Sequence, residues 1–146
     1  MKKNILSVCL LCFCLSSFAS SGVSEKLLQS FKETFPSAQQ VQWQEFPDNY
    51  IVNFVVQGVR NRINYDKDGN LISATRYFGE ENLPLNILTH LKKRFPNQKI
   101  FGVTELETDS NIEYSIKLQD NENWMTVKSD ISGNLDVVEK YKRADQ

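Results

Sequence analysis

The sequence predicts an α+β protein made of two tandem repeats, each with one helix packed on a four-stranded antiparallel meander sheet. Three observations lead to this prediction. An internal repeat relates residues 23–78 to residues 84–143. In each copy the apolar residues first follow the spacing of a helix and then alternate as in strands. The connections between the strands are too short for the crossovers that a parallel sheet requires.

The residues that precede the first copy have the composition of a signal peptide, assigned to residues 1–19. Lys2 and Lys3 form a basic start, an apolar run covers residues 5–19, and the run closes with the small-x-small sequence Ser-Phe-Ala. The run is shorter than the roughly 20 residues that span a membrane, so an uncleaved anchor is the lesser alternative. We therefore expect an exported protein, periplasmic or secreted, without stable membrane insertion.

Cleavage after Ala19 removes all three cysteines of the chain, Cys9, Cys12 and Cys14. The mature chain then has no cysteine, which excludes disulfides, cysteine nucleophiles and thiolate metal sites. The full chain has 17 basic and 18 acidic residues and a formal net charge of −1. This is not the basic balance of a nucleic-acid binder, so we expect no nucleic-acid partner.

The helix of each copy is predicted from an apolar stripe that ends at a Phe-Pro pair. The first helix covers residues 24–35, and Pro84 suits the first turn of the second helix. Proline ends each helix because its ring disfavours helical geometry in the preceding residue. The stripes consist of Leu27, Leu28, Phe31 and Phe35 in the first copy and of Leu85, Leu88, Leu91 and Phe95 in the second.

Four strands follow each helix, and their alternating apolar residues are predicted to face the core. Asp68-Gly69 and Ser132-Gly133 are tight-turn pairs between the third and fourth strands of each copy, and residues 79–83 form the linker. The predicted core-facing positions are Val41, Trp43, Tyr50, Val52, Phe54, Val56, Ile63 and Tyr65, then Phe101, Val103, Tyr114, Ile116, Leu118, Met125 and Val127.

The first copy contains, in order, a helix, Phe-Pro, Val-x-Trp, Tyr-x-Val-x-Phe and Tyr-Asp-x-Asp-Gly-Asn-Leu. The second copy follows the same order with Phe-Pro, Phe-x-Val, Tyr-x-Ile-x-Leu and Asp-x-Ser-Gly-Asn-Leu. Given twice behind a signal peptide, this order resembles the PepSY-like proteins, also described as beta-lactamase-inhibitor-protein-like. The resemblance covers residues 23–143 and implies a small, exported, non-catalytic module whose sheets can grip a partner. The chain lacks the one disulfide per unit of the inhibitor that names the group and any motif matching its inhibitory loops. Inhibition of a beta-lactamase is therefore not implied, and neither is any functional residue.

Few residues could carry catalysis or bind a metal. His90 is the only histidine, and we interpret it as a boundary surface residue of the second helix rather than a general base. Residues 66–70 (Asp-Lys-Asp-Gly-Asn) lack the glycine position and the bidentate glutamate of an EF-hand loop. We interpret them as a hairpin whose Asp side chains bond to turn amides. We therefore expect no enzyme, no catalytic or cofactor-binding residue, no metal ligand and no cofactor.

If the helices cover one face of the sheet, the other face is available to a partner. Tryptophan and arginine are enriched at interface hot spots, and a basic face favours an acidic partner. In the alternative interpretation, Trp124 packs against the neighbouring unit and the cations only keep the sheet soluble. The predicted partner-binding residues are Gln42, Gln44, Arg60, Arg62, Lys117, Trp124, Thr126 and Lys128, with Arg76 as a further position.

We expect a monomeric, exported, non-catalytic binding module that engages an envelope protein or peptide through its sheet face, as an inhibitor or a sensor. Two alternatives stay open. A cystatin-like, cone-shaped α+β fold could enclose a pocket for a small-ligand carrier or an enzyme. A structural assembly protein could add strands at a sheet edge, although the charges of residues 135–141 discourage such pairing.

Overall fold

A computed structural model describes residues 22–144. The predicted signal peptide lies outside these residues. The helices are α1 (Glu25–Thr34) and α2 (Leu85–Arg94), and a 3₁₀ turn, Glu80–Asn82, precedes α2. The strands are β1 (Gln39–Glu45), β2 (Asn49–Val56), β3 (Val59–Asp66), β4 (Leu71–Phe78), β5 (Lys99–Thr108), β6 (Asn111–Gln119), β7 (Asn123–Asp130) and β8 (Leu135–Lys142). Within the described range, neither helix has the length and apolar character needed to cross a membrane.

All eight strands form one antiparallel sheet in chain order, from β1 to β8. β4 and β5 pair with each other, from Ser73 opposite Thr108 to Phe78 opposite Val103. The prediction of two tandem repeats, each with its own four-stranded sheet, is therefore wrong, and the fold is α+β with a single sheet. The free backbone groups of an edge strand can pair with those of any other edge strand. The side-chain patterns of β4 and β5 therefore do not indicate that these two strands pair with each other. The assignment of residues 23–78 and 84–143 to two copies of one unit stays a prediction.

The hydrophobic core lies between the helices and one face of the sheet, which we call the helix face. Under α1, Phe31 packs with Val52, Phe54 and Ile63. A second cluster joins the buried residues of α2 to those of the sheet beneath it. It consists of Phe78, Leu83, Ile87, Leu91, Val103, Tyr114, Ile116, Leu118, Met125 and Val127. Because Phe78 belongs to β4, the second cluster extends across the β4–β5 junction and ties the two halves of the sheet together.

The two helices agree with the predicted stripes except at one position. Ser24 caps α1 by accepting a hydrogen bond from the Leu27 amide, and Leu27 and Phe31 are buried. In α2, however, Leu85 is 77% exposed, so its assignment to the stripe is wrong. The buried residue is Ile87, which lies two positions and therefore about 200° further around the helix.

Two positions predicted to face the core are exposed instead. Val41 in β1 and Phe101 in β5 are 40% and 66% exposed. The pairing of both strands with their neighbours shifts register at this point. A bulge adds one residue to a strand and changes the face that the side chains beyond it reach. The alternation seen from Trp43 and Val103 onwards therefore does not apply to Val41 and Phe101, which precede them.

Aspartate-capped turns join β3 to β4 and β7 to β8. In the first turn, Asp66 Oδ1 accepts hydrogen bonds from the amides of Asp68 and Asn70 at 2.9 and 2.8 Å. In the second, Asp130 Oδ1 accepts from the Asn134 amide at 3.0 Å. These contacts confirm the hairpin interpretation of both segments. No group of three or more His, Cys, Asp or Glu side chains that could hold a metal occurs in residues 22–144.

We expect acid to destabilise the protein through these two turns, below a pH of about 4. Hydrogen bonds from the side chain and backbone of Asn70 lower the pKa of Asp66, and those from Asn134 lower the pKa of Asp130. A carboxyl with a lowered folded-state pKa stabilises the fold above its unfolded-state pKa, and this contribution is lost as the pH falls through the folded-state pKa.

Thermal melts between pH 7 and pH 2 test this expectation. The Tm of the native chain should fall as the two aspartates protonate. An Asp66→Asn, Asp130→Asn variant should be less stable at pH 7 but should lose less Tm in acid, because amides do not titrate. An acid-induced loss of Tm as steep in the variant as in the native chain would contradict the assignment.

Candidate protein-binding face

The face of the sheet opposite the helices, which we call the open face, is not covered by any element within residues 22–144. Residues directly opposite each other in antiparallel strands lie on the same face. One row of such residues consists of Val55, Arg60, Tyr77, Thr104, Ser115 and Lys128. By the same register, all eight predicted partner-binding residues lie on the open face. Their role in binding stays a prediction.

Arg76 does not belong to this set, because it lies on the helix face opposite Glu105. Its Nη1 is 2.9 Å from Glu105 Oε1, and Glu105 is only 7% exposed. Burial, and then the charge of the neighbouring Glu105 carboxylate, raise the pKa of Tyr114. The sequence of β4 lacks a clear alternation, which explains why its phase was assigned wrongly.

The N-terminal half of the open face carries two arginines without acidic partners. Arg60 and Arg62 are exposed and make no ion pair with any other described residue. The Cζ atom of Arg60 lies 5.7 Å from the centre of the Tyr77 ring. A depression of about 250 Å³ beside Arg60 includes Gln42 and Asn53 in its lining. This half of the face therefore combines free positive charge with neutral hydrogen-bonding side chains.

Two cations of the C-terminal half, Lys117 and Lys128, have acidic partners within the protein. Lys117 Nζ lies 2.7 Å from Thr126 Oγ1 and 3.2 Å from Glu139 Oε2. Hydrogen bonds from Thr126 and then from Lys117 lower the pKa of Glu139.

Lys128 is neutralised in the same way, since its Nζ lies 2.7 Å from Glu113 Oε1. The sequence pattern did not indicate either glutamate as a partner of these lysines. The position of Glu113 on the open face could have been predicted, because Glu113 lies four residues before Lys117 in the same strand and so shares its face. Arg60 and Arg62 are therefore the unpaired cations of the N-terminal half of the open face within the described residues, whereas Lys117 and Lys128 have acidic partners.

An aromatic cluster, formed by Phe101, Trp124 and Tyr141, occupies the C-terminal half. The Phe101 and Trp124 rings meet edge to face with 4.8 Å between centroids. Tyr141 lies directly opposite Trp124, and the Arg143 Cζ is 5.8 Å from the Trp124 ring. Phe101 is 66% and Tyr141 44% exposed. The alternation in β7 predicted Trp124 on this face. Phe101 was not predicted here, because the alternation of apolar residues in β5 does not reveal the bulge.

A depression of about 340 Å³ lies at the β6–β7 turn and is lined by polar residues. Its one aspartate, Asp120, accepts hydrogen bonds from the amides of Glu122 and Asn123 at 2.8 and 2.7 Å. These bonds lower the pKa of Asp120. The carboxylate therefore stays ionised and holds the turn, which is the opposite of what a general acid needs.

No family model and no curated protein matches the sequence, but several solved structures share its fold. A BLIP-like protein from Bacteroides fragilis NCTC 9343 has a TM-score of 0.60 and 16% identity, with 84% of this chain and 88% of that chain covered. A DUF2874 family protein from Bacteroides uniformis ATCC 8492 has a TM-score of 0.60 and 10% identity, over 82% and 88% of the two chains.

A Bacteroides eggerthii DSM 20697 protein, described as periplasmic by inference, has a TM-score of 0.60 and 14% identity, over 82% and 88% of the chains. The PepSY part of the resemblance stays a prediction, since no family model supports it. In its fold, this chain is similar to BLIP-like and DUF2874 family proteins.

Proposed function

We propose that this protein is an exported, non-catalytic binding module of the cell envelope, periplasmic or secreted, that acts as a monomer. Its open face engages a protein or peptide partner, in the manner of an inhibitor or a sensor. One observation carries this proposal. Within residues 22–144 both helices pack on one face of the sheet, and the other face presents two unpaired arginines and the aromatic cluster.

The composition of the open face supports binding of a macromolecule. Arginine, tryptophan and tyrosine are the residue types that most often carry the binding energy of protein interfaces. A large exposed apolar group rimmed by polar residues is also typical of an interaction site. One solved protein with this fold is described as BLIP-like and another as periplasmic by inference, which supports an envelope location and binding rather than catalysis.

The test is capture of a partner from native cell-envelope extract by immobilised residues 20–146. We expect the native chain to retain a saturable protein partner and an Arg62→Ala, Trp124→Ala variant to lose it. A matched control, Leu85→Ala with Lys93→Ala, also removes one apolar side chain and one exposed cation, but from α2 on the other side of the molecule. The control should capture the partner normally.

Two results would contradict the proposal. Normal capture by the Arg62→Ala, Trp124→Ala variant would exclude the open face as the site. A co-purifying small molecule, with no protein retained by any of the three chains, would instead favour a ligand carrier.

A further inference from the structure

We propose that Arg60 and Arg62 form a clamp for two carboxylates that lie two residues apart on an extended segment of the partner. This inference rests on the proposed function, because it specifies the chemistry that the open face recognises. It also divides the face. The N-terminal half binds acidic side chains, and the aromatic cluster of the C-terminal half contacts apolar ones.

The spacing of the two arginines favours this geometry. Both lie on β3 and point to the same face, about 6.6 Å apart along the strand. Side chains two residues apart in any extended peptide have the same spacing, so the two pairs of groups can face each other. A guanidinium also binds a carboxylate through two parallel hydrogen bonds. The Tyr77 ring beside Arg60 restrains that side chain before binding, which lowers the entropy cost of association.

The distribution of charge favours the arginine pair over Lys117 and Lys128 for this role. Strands β1–β4 contain only two acidic residues, Glu45 and Asp66. Glu45 is paired with Lys67 at 3.0 Å, and Asp66 is bound to the amides of its own turn. No carboxylate of these strands therefore competes for the arginines. Lys117 and Lys128, by contrast, already have Glu139 and Glu113 as partners, and an acidic ligand would first have to displace them.

The test uses mature, isotope-labelled protein and three peptides. The probe is Ac-Thr-Glu-Thr-Glu-Thr-NH2, with Ac-Thr-Gln-Thr-Gln-Thr-NH2 and Ac-Thr-Glu-Glu-Thr-Thr-NH2 as comparisons. We expect the probe to shift the Nε–H signals of Arg60 and Arg62 saturably. The glutamine peptide should bind roughly tenfold more weakly, because it lacks charge-assisted hydrogen bonds. The third peptide should also bind weakly, since adjacent side chains of a strand point to opposite faces.

Paired variants separate a specific clamp from general attraction of anions. Arg60→Gln with Arg62→Gln should abolish the saturable shifts. Lys117→Gln with Lys128→Gln removes the same charge from the same face and should leave the affinity within twofold. Three results would overturn the clamp. They are equal affinity for all three peptides, an equal loss of probe affinity in both paired variants, and competition by inorganic phosphate as effective as that by the probe.

The two proposals can fail separately. Probe binding at Arg60 and Arg62 without any protein captured from the envelope extract would leave the clamp and overturn the proposed function. Capture that survives Arg60→Gln with Arg62→Gln but is lost with Trp124→Ala would leave the proposed function and overturn the clamp.

Discussion

Replacing Arg76 with alanine should lower the free energy of unfolding by about 2–3 kcal/mol. The Arg76–Glu105 pair spans the β4–β5 junction at 2.9 Å, with side-chain exposures of 41% for the arginine and 9% for the glutamate. Removing the arginine leaves a buried carboxylate without its cation, and such a group is strongly destabilising. We place the effect below the usual range for buried pairs because the arginine itself is partly solvated.

Replacing Glu105 instead of Arg76 should destabilise the protein less. Glu105→Gln leaves Arg76 without a counter-charge, but the guanidinium can turn to water, so we expect a loss of about 1 kcal/mol. Arg62→Ala is the matched control, because it removes an unpaired arginine from β3 on the open face and should change stability by less than about 0.5 kcal/mol.

Urea unfolding followed by far-UV circular dichroism measures these three variants. Arg76→Ala should have the lowest midpoint and Arg62→Ala the midpoint of the native chain. If Arg76→Ala unfolds at the same urea concentration as Arg62→Ala, the junction pair does not stabilise the single sheet. A larger loss for Glu105→Gln than for Arg76→Ala would contradict the argument from burial.

Gly133→Ala is the second substitution with a large expected effect, a loss of about 2–3 kcal/mol. Gly133 has a φ of 84°, which costs a residue with a Cβ about 1–2 kcal/mol. An added Cβ would also lie only 2.7 Å from His90 Nδ1. That nitrogen contacts the Gly133 carbonyl oxygen at 2.8 Å, so relieving the clash would break the contact between α2 and the β7–β8 turn.

Gly69→Ala is the matched control for this substitution. Gly69 occupies the corresponding turn with a φ of 88°, but its nearest side-chain atom would be Leu27 Cδ1 at 3.7 Å, an ordinary contact. It should therefore show only the backbone cost, about 1–2 kcal/mol. Differential scanning calorimetry of the two variants checks the difference. Equal decreases in Tm would show that the His90 contact contributes nothing.

The interpretation of His90 shows how far the sequence could be read. Its spacing in α2 correctly predicted an exposed boundary position rather than a core one. Its partner is a backbone carbonyl 43 residues away, and nothing in the local pattern indicates that contact. Asn86 similarly donates to the Ile131 carbonyl at 3.0 Å. Both contacts depend on where α2 lies on the sheet, which is a property of the folded chain.

The candidate site also has features that the sequence predicts and features that it does not. The face of Arg60, Arg62 and Trp124 could be predicted, because side chains alternate within a strand whatever its neighbours are. The pairing of Lys117 with Glu139 could not, since it requires the register of β6, β7 and β8. Phe101 was missed for a related reason, because one extra residue in β5 inverts the assignment of face.

The sequence by itself therefore determined the helices, the strands, the turns and most of the side chains that each face presents. These features arise from local periods, caps and turn chemistry, which act over a few residues. Only the tertiary structure decided that β4 pairs with β5, that one continuous sheet forms and that Arg60 and Arg62 stay unpaired while Lys117 and Lys128 have acidic partners. Strand pairing and ion pairs join residues far apart in the chain, and their partners are selected by backbone register and burial.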